Sequence, residues 1–152
     1  MPLPKLQYFT FRGRGFASRV ALFNALGKDG WIDEKVSLPR FKKMQPFALP
    51  ETPAARIEAE YITNNLPQLT LSCGMKVSQS HAIARYAAKL GHQAQTHHVI
   101  EPQLYPTDPL QALKVDEAIA IIDQILLLTP KDEDPEVKTR NRVNFHTSGF
   151  LR

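Results

Sequence analysis

The sequence predicts an α/β fold, β-α-β followed by β-β-α, with an incomplete all-α domain after it. Three observations carry this. Between Pro4 and Leu38, two strand-like runs flank a helical one, with glycines at both joints. Asn65 to Leu90 (NLPQLTLSCGMKVSQSHAIARYAAKL) reads as strand, tight turn, strand, polar corner and helix. Asp108-Pro109 opens a long apolar helical run after a polar stretch.

Taken in order, Pro4 to Phe11 (PKLQYFTF) is aromatic and apolar without a helix cap, and reads as a buried first strand. Arg12-Gly13-Arg14-Gly15 is a glycine turn. From Phe16 to Leu26, Phe16, Val20 and Phe23, with Ala17 and Ala21 beside them, recur at helical spacing, and Gly27 is a stop. Trp31 to Leu38 alternates moderately and reads as a second strand, with Trp31 a strand or packing residue. A right-handed crossover makes the two strands parallel. Pro39 to Asn64 holds Pro39, Pro46, Pro50 and Pro53, so it reads as irregular, with a short helix at Ala54–Ile62 behind Thr52 and Pro53. Gln68–Leu71 and Lys76–Ser78 are joined by so short a loop, Ser72-Cys73-Gly74-Met75, that they must be antiparallel. His81 to Leu90 is a helix with Ile83, Tyr86, Ala87 and Leu90 on one face, and Ser80 stands at its cap position. This order is the thioredoxin-like arrangement.

Residues 92–106 read as a linker, and 107–152 as the partial helical domain. Asp108 is a cap with proline at the first helical position. Apolar residues cover most of the circumference from Ala118 to Leu128, so a partner subunit or further helices should cover that helix. Thr129 to Asp134 breaks it, and Pro135 begins another helix.

The composition, 43% hydrophobic and 22% charged over 152 residues, is that of a globular chain. No apolar run approaches a membrane span, no signal-peptide core opens the chain, and one cysteine excludes an internal disulfide. The expected location is cytoplasmic. Residues 1–90 carry 13 basic against 6 acidic residues, and residues 91–152 carry 6 against 9, so the first part is net +7 and the rest −3. The basic residues are dispersed, so taken singly most read as solvated surface, and a small anionic ligand ranks above nucleic acid. His97-His98 lacks companions at ligand spacing, so no metal is expected. Cys73 lies in the hairpin turn and no C-x-x-C exists, against thiol–disulfide chemistry.

Tyr8-Phe9, Arg12-Gly13-Arg14, Leu66-Pro67, Gln79-Ser80, Ala82-Ile83-Ala84-Arg85-Tyr86 and Leu104-Tyr105-Pro106 together resemble the cytosolic glutathione transferases. The tyrosine followed by an RGR turn is most like the sigma-type group. The resemblance covers residues 3 to about 128 and implies glutathione as co-substrate. It implies a cis Leu66-Pro67 bond, with the Leu66 main chain binding the cysteinyl part of glutathione. Gln79 and Ser80 would grip the γ-glutamyl carboxylate; a helix start is a natural site for one. The Tyr8 hydroxyl would donate to the sulfur, with Arg14 as electrostatic support. Phe41 stands near the position of a family tryptophan, Lys42 or Lys43 would hold the glycine carboxylate, Asn65 stands where a glutamine is usual, and Phe9 adjoins the site. The implied function is conjugation of the thiolate to hydrophobic electrophiles by a homodimer, with no nucleic-acid or membrane partner. The helical domain is shorter than the family's, as in a fragment, a splice or frameshift product, or a reduced relative. The alternatives are a non-catalytic glutathione-binding or structural protein, and a thioredoxin-like domain without a thiol ligand.

Overall fold

A computed structural model describes residues 1–45, 60–93 and 104–147, with the side chains of residues 92 and 93 left aside. Two units are distinguished, Met1–Pro106 and Thr107–Arg152.

The first unit is a four-stranded sheet of β1 (Lys5–Tyr8), β2 (Ile32–Lys35), β3 (Gln68–Thr70) and β4 (Lys76–Ser78), in the order β2-β1-β3-β4. β1 and β2 are parallel; β3 pairs antiparallel with both β1 and β4. Helices α1 (Phe16–Leu26), α2 (Leu38–Met44) and α3 (Ser80–Gln93) complete it. A parallel β-α-β followed by an antiparallel hairpin and a helix is the thioredoxin-like order. The second unit contains α4 (Pro109–Leu128) and α5 (Pro135–Thr147).

The core of the first unit forms where α1 and α3 lie on the sheet. Leu6 and Leu69, opposite each other in the β1–β3 register, are buried with Ala21, Leu22, Ile83 and Ala87. Here α1 differs from the sequence expectation. Phe16, Val20 and Phe23 are exposed, while Ser18, Ala21, Leu22 and Ala25 are buried at i, i+3, i+4, i+7 spacing. Small side chains win this face because α3 approaches closely. A Cβ added to Gly91 would lie 3.2 Å from Asn24 Oδ1 and 3.4 Å from Ala25 Cα. On α3, Tyr86 is exposed, although Ile83 and Ala87 of its expected face are buried.

Two further differences concern helix starts. The region after Leu38 is not irregular at first: α2 is capped by Ser37, whose hydroxyl accepts from the Arg40 N–H, and Pro39 sits in the first turn. A proline there gives up only an N–H that would have no helical partner. At α3, Ser80 is the first helical residue and not the cap. The Gln79 carbonyl accepts the Ile83 N–H at 3.1 Å, so Gln79 caps the helix through its main chain. The expected helix at Ala54–Ile62 lies for the most part outside the described residues, as do Pro46, Pro50, Pro53, His97 and His98.

On the other sheet face lies a polar layer. Gln7 and Gln68, directly opposite in register, are both 1% exposed. Gln68 Nε2 donates to Gln7 Oε1 at 2.9 Å, and Gln7 Nε2 donates to Glu34 and Glu60 at 3.1 and 2.9 Å. Gln68 Oε1 accepts the Ile62 N–H at 2.8 Å, and Arg40 bridges Glu34 and Glu60. Every amide here finds a partner, which is the condition for burying it.

In the second unit, α4 is capped by Asp108, which accepts the Gln111 N–H at 2.9 Å. Asp134 caps α5 by accepting from Glu136 and Val137 at 2.8 and 3.0 Å. Neither helix has a buried residue. Among the described residues no helix is long and apolar enough to cross a membrane.

Candidate functional site

Between the β1–α1 turn and the ends of the β3–β4 hairpin lies a cavity of about 330 Å³ lined by Arg14, Asn65, Leu66, Pro67, Ser78, Gln79 and Ser80. One wall is the entry to β3. Leu66 and Pro67 are buried and joined by a cis peptide bond. The opposite wall is the exit from β4 and the start of α3. Gln79 has φ of 78°, in the left-handed region that non-glycine residues seldom occupy, at a cost of order 1–3 kcal/mol. This turn carries the chain from β4 into α3, so the first-turn N–H groups and the buried Ser80 adjoin the cavity. Ser18 of α1 ties the start of α3 down, its hydroxyl donating to the Ser80 carbonyl at 3.3 Å.

Thr63 links the two walls. Its hydroxyl donates to the Asn65 carbonyl at 2.9 Å, shaping the loop that presents Asn65 and Leu66. It also lies 3.0 Å from the Ser78 hydroxyl. Neither Thr63 nor Ser78 stood out in the sequence. A threonine two residues before an Asn-Leu-Pro loop is the one local signal, since such hydroxyls bond the main chain two residues on.

Tyr8 ends β1 and is 4% exposed. Its hydroxyl accepts the Arg14 main-chain N–H at 2.9 Å and is not among the groups lining the cavity; Arg14 is. The turn Gly13–Gly15 wraps the tyrosine so tightly that only glycine fits. A Cβ at Gly13, where φ is +35°, would lie 2.5 Å from the Tyr8 hydroxyl, and one at Gly15 would overlap the Tyr8 ring. The two glycines of the RGRG run therefore serve the tyrosine five and seven residues before them.

The remaining residues singled out in the sequence lie apart from the cavity wall. Phe41 is buried with Tyr8, Val36, Tyr61 and Leu66, and Phe9 packs against this cluster. The Phe9–Phe41 and Phe41–Tyr61 rings meet edge to face at 5.5 and 5.3 Å. Lys43 is exposed on α2.

Arg14 is the one charged residue among those lining the cavity. Glu34 and Glu60 are held in the polar layer. Burial raises the Glu34 carboxyl, but hydrogen bonds and charge from Lys5 and Arg40 outweigh it, and the net shift is downward. Burial pushes the Tyr61 phenol up, helped by the Glu60 charge. No group of three or more potential metal ligands exists among the described residues.

No family profile and no curated protein sequence matches the chain. Solved structures do. Rat hPGDS complexed with a quinoline is 26% identical with a TM-score of 0.64, over 94% of this chain and 59% of that one. The glutathione S-transferase from Ascaris lumbricoides is 24% identical with a TM-score of 0.58, over 89% and 57%. A glutathione transferase homolog from Sulfitobacter, with bound glutathione, is 16% identical with a TM-score of 0.60, over 95% and 64%. The fold is thus that of the glutathione transferases: a thioredoxin-like unit followed by a helical one. The chain spans 57–64% of the length of these three chains.

Proposed function

We propose that this chain binds glutathione and conjugates its thiolate to hydrophobic electrophiles. The observation that carries the reading is the cavity itself, with Leu66-Pro67 on one wall, Gln79-Ser80 on the other and Arg14 beside it. A main-chain edge at Leu66 suits the cysteinyl backbone of a peptide ligand. A helix start with a serine suits a carboxylate. Asn65 adds an amide at the rim. Lys43, with Phe9 and Phe41 behind it, belongs to the glycine end of the ligand in this reading.

Tyr8 and Arg14 are the proposed catalytic pair. The Tyr8 oxygen already accepts from the Arg14 N–H, so its own proton is available to donate, and accepting a hydrogen bond makes it a better donor. A free thiol has a pKa of about 8.5, and each unit of depression corresponds to about 1.4 kcal/mol of preferential thiolate stabilisation. A hydroxyl donor and a nearby cation both favour the thiolate. With a chloronitrobenzene, the thiol proton passes to water, a C–S bond forms, and chloride leaves with the bonding pair. The proposal extends to a sigma-like, cytosolic homodimer in detoxification, with residues 1–91 as the glutathione domain, 92–106 as linker and 107–152 as partial helical domain.

The test is retention on immobilised glutathione together with turnover of chloronitrobenzene. Tyr8→Phe is expected to lower kcat by roughly 10- to 100-fold, the equivalent of one or two pKa units, while retention stays unchanged. Undiminished turnover removes Tyr8 from its role. One observation favours a second reading, a glutathione-binding protein without catalysis: the Tyr8 hydroxyl is engaged by the Arg14 N–H, and Tyr8 is not among the residues lining the cavity. Wild-type retention without turnover selects that reading.

A further inference from the structure

We infer that Arg19 is a positioning residue that holds Tyr8, and the chain leaving it, in the geometry that stabilises a thiolate; this rests on the transferase reading above. Arg19 lies on α1, and its side chain is 13% exposed. Its guanidinium uses its donors on three parts of the unit. Nη2 donates to the Phe9 carbonyl at 2.8 Å, and Nη1 to the Phe11 carbonyl at 3.2 Å. Nε is shared between the two carboxylate oxygens of Asp33 on β2, each at 3.0 Å. The guanidinium carbon stands 5.4 Å from the centroid of the Tyr8 ring.

Two consequences follow from this geometry. The first is mechanical. The chain from Phe9 to Arg12 leaves the sheet before turning back to give Tyr8 its Arg14 N–H, and the Arg19 fork fastens that excursion at two carbonyls. A planar guanidinium can serve both carbonyls and the carboxylate at once; a lysine ammonium is a single point charge and cannot. The second is electrostatic. A cation against an aromatic face is attracted to the ring electrons. Asp33 does not cancel it, because Asp33 is also paired with Lys35, leaving the group of three net positive. Among the described residues, the charged and titratable groups around Tyr8 are then Arg14 from the turn, Arg19 from α1, Asp33 and Lys35 from β2, and Tyr61 in the cluster beneath. Positive charge beside the phenol favours the anionic form of a thiol held against it.

A residue that merely stapled α1 to the sheet would, when lost, weaken stability and ligand binding together and leave the pH profile of the bound thiol where it was. The experiment follows thiolate ultraviolet absorbance against pH for glutathione bound to the full chain. Affinity for S-methylglutathione, which has no thiol to ionise, is measured in parallel. Arg19→Leu is expected to move thiol ionisation about one pH unit upward, a tenfold loss of thiolate below the midpoint, with S-methylglutathione affinity altered less than about threefold. Arg19→Lys keeps the charge without the fork and should recover part of that shift. If Arg19→Leu does not fold, Arg19→Lys carries the test alone, with a smaller upward shift expected. A variant profile superimposed on the wild type overturns the inference, as does a parallel loss of S-methylglutathione binding. Should wild-type protein itself fail to ionise bound glutathione, the transferase reading falls and this inference with it.

Discussion

The two units handle their apolar residues in opposite ways. In Met1–Pro106, Leu6, Leu22, Leu69 and Ile83 are at most 1% exposed, and the residues that make this possible are small: Ser18, Ala21, Ala25, Ala87 and Gly91. In Thr107–Arg152, α4 is the more apolar helix by composition, yet Leu110, Leu113, Ile122, Leu127 and Leu128 are all at least half exposed. Large apolar residues alone do not make a core; a facing surface must come near enough to exclude water, and small residues set that distance. The first unit contains both partners of each contact. Among the described residues of the second, neither helix has a buried side chain.

The sharpest way to break this contrast is paired truncation. Leu22→Ala removes a fully buried side chain and is expected to cost about 2–5 kcal/mol, transfer plus cavity. Leu127→Ala, at a position 69% exposed, is expected to stay within about 0.5 kcal/mol. Denaturant unfolding of both variants measures the difference. A comparable loss at Leu127 means that α4 is covered in solution, and its dependence on protein concentration then tells a second copy from the chain itself.

The same contrast explains what was legible beforehand. Backbone punctuation was readable: Gly27 ends α1, Asp108-Pro109 opens α4, and the short loop at Ser72–Met75 forces an antiparallel hairpin. These signals act within a few residues. Leu66-Pro67 and Gln79-Ser80 drew notice by flanking strands, but the cis bond and the ligand roles expected of them came from the resemblance to the transferases. Side-chain destinations were less legible. Phe16, Val20 and Phe23 form a helical stripe by size, but the buried stripe is set by the approach of α3, some 60 positions further along. Gln7 and Gln68 pair only because the register brings them opposite, and nothing near either residue announces it. Thr63, Ser78 and Arg19 support the site through partners on other elements, so their roles required the fold.

A smaller effect sharpens the comparison through pH. Glu34 has a folded pKa below its ordinary 4.5 because Lys5 and Arg40 hold its charged form against burial. A group with a depressed folded pKa gives stability that is present above its unfolded pKa and lost as pH falls through the folded one. The polar layer should therefore loosen below about pH 4.5, and Glu34→Gln should flatten that part of the stability curve. Unfolding midpoints at a series of pH values, followed by a first-unit probe such as Trp31 fluorescence, check this. An unchanged acid limb in Glu34→Gln assigns the loss to other carboxylates.

The smallest effect concerns the caps, and it bears on how a helix without buried residues persists. Most helical stability in proteins comes from packing an apolar face, and isolated helices shorter than about 12–15 residues are marginal. With 20 residues α4 is long enough to draw on local terms, and Asp108 supplies the strongest of them by accepting the Gln111 N–H where the dipole favours an anion. Asp108→Ala removes both contributions at about 1 kcal/mol. In the first unit, Ser37→Ala at α2 removes a longer contact of 3.3 Å, and packing of the buried Phe41 still holds that helix. Amide exchange along α4 is therefore expected to quicken by roughly fivefold in Asp108→Ala, the equivalent of that free energy, while α2 in Ser37→Ala responds less. If both helices lose protection equally, packing contributes no more to α2 than to α4, and the contrast between the units does not extend to their helix ends.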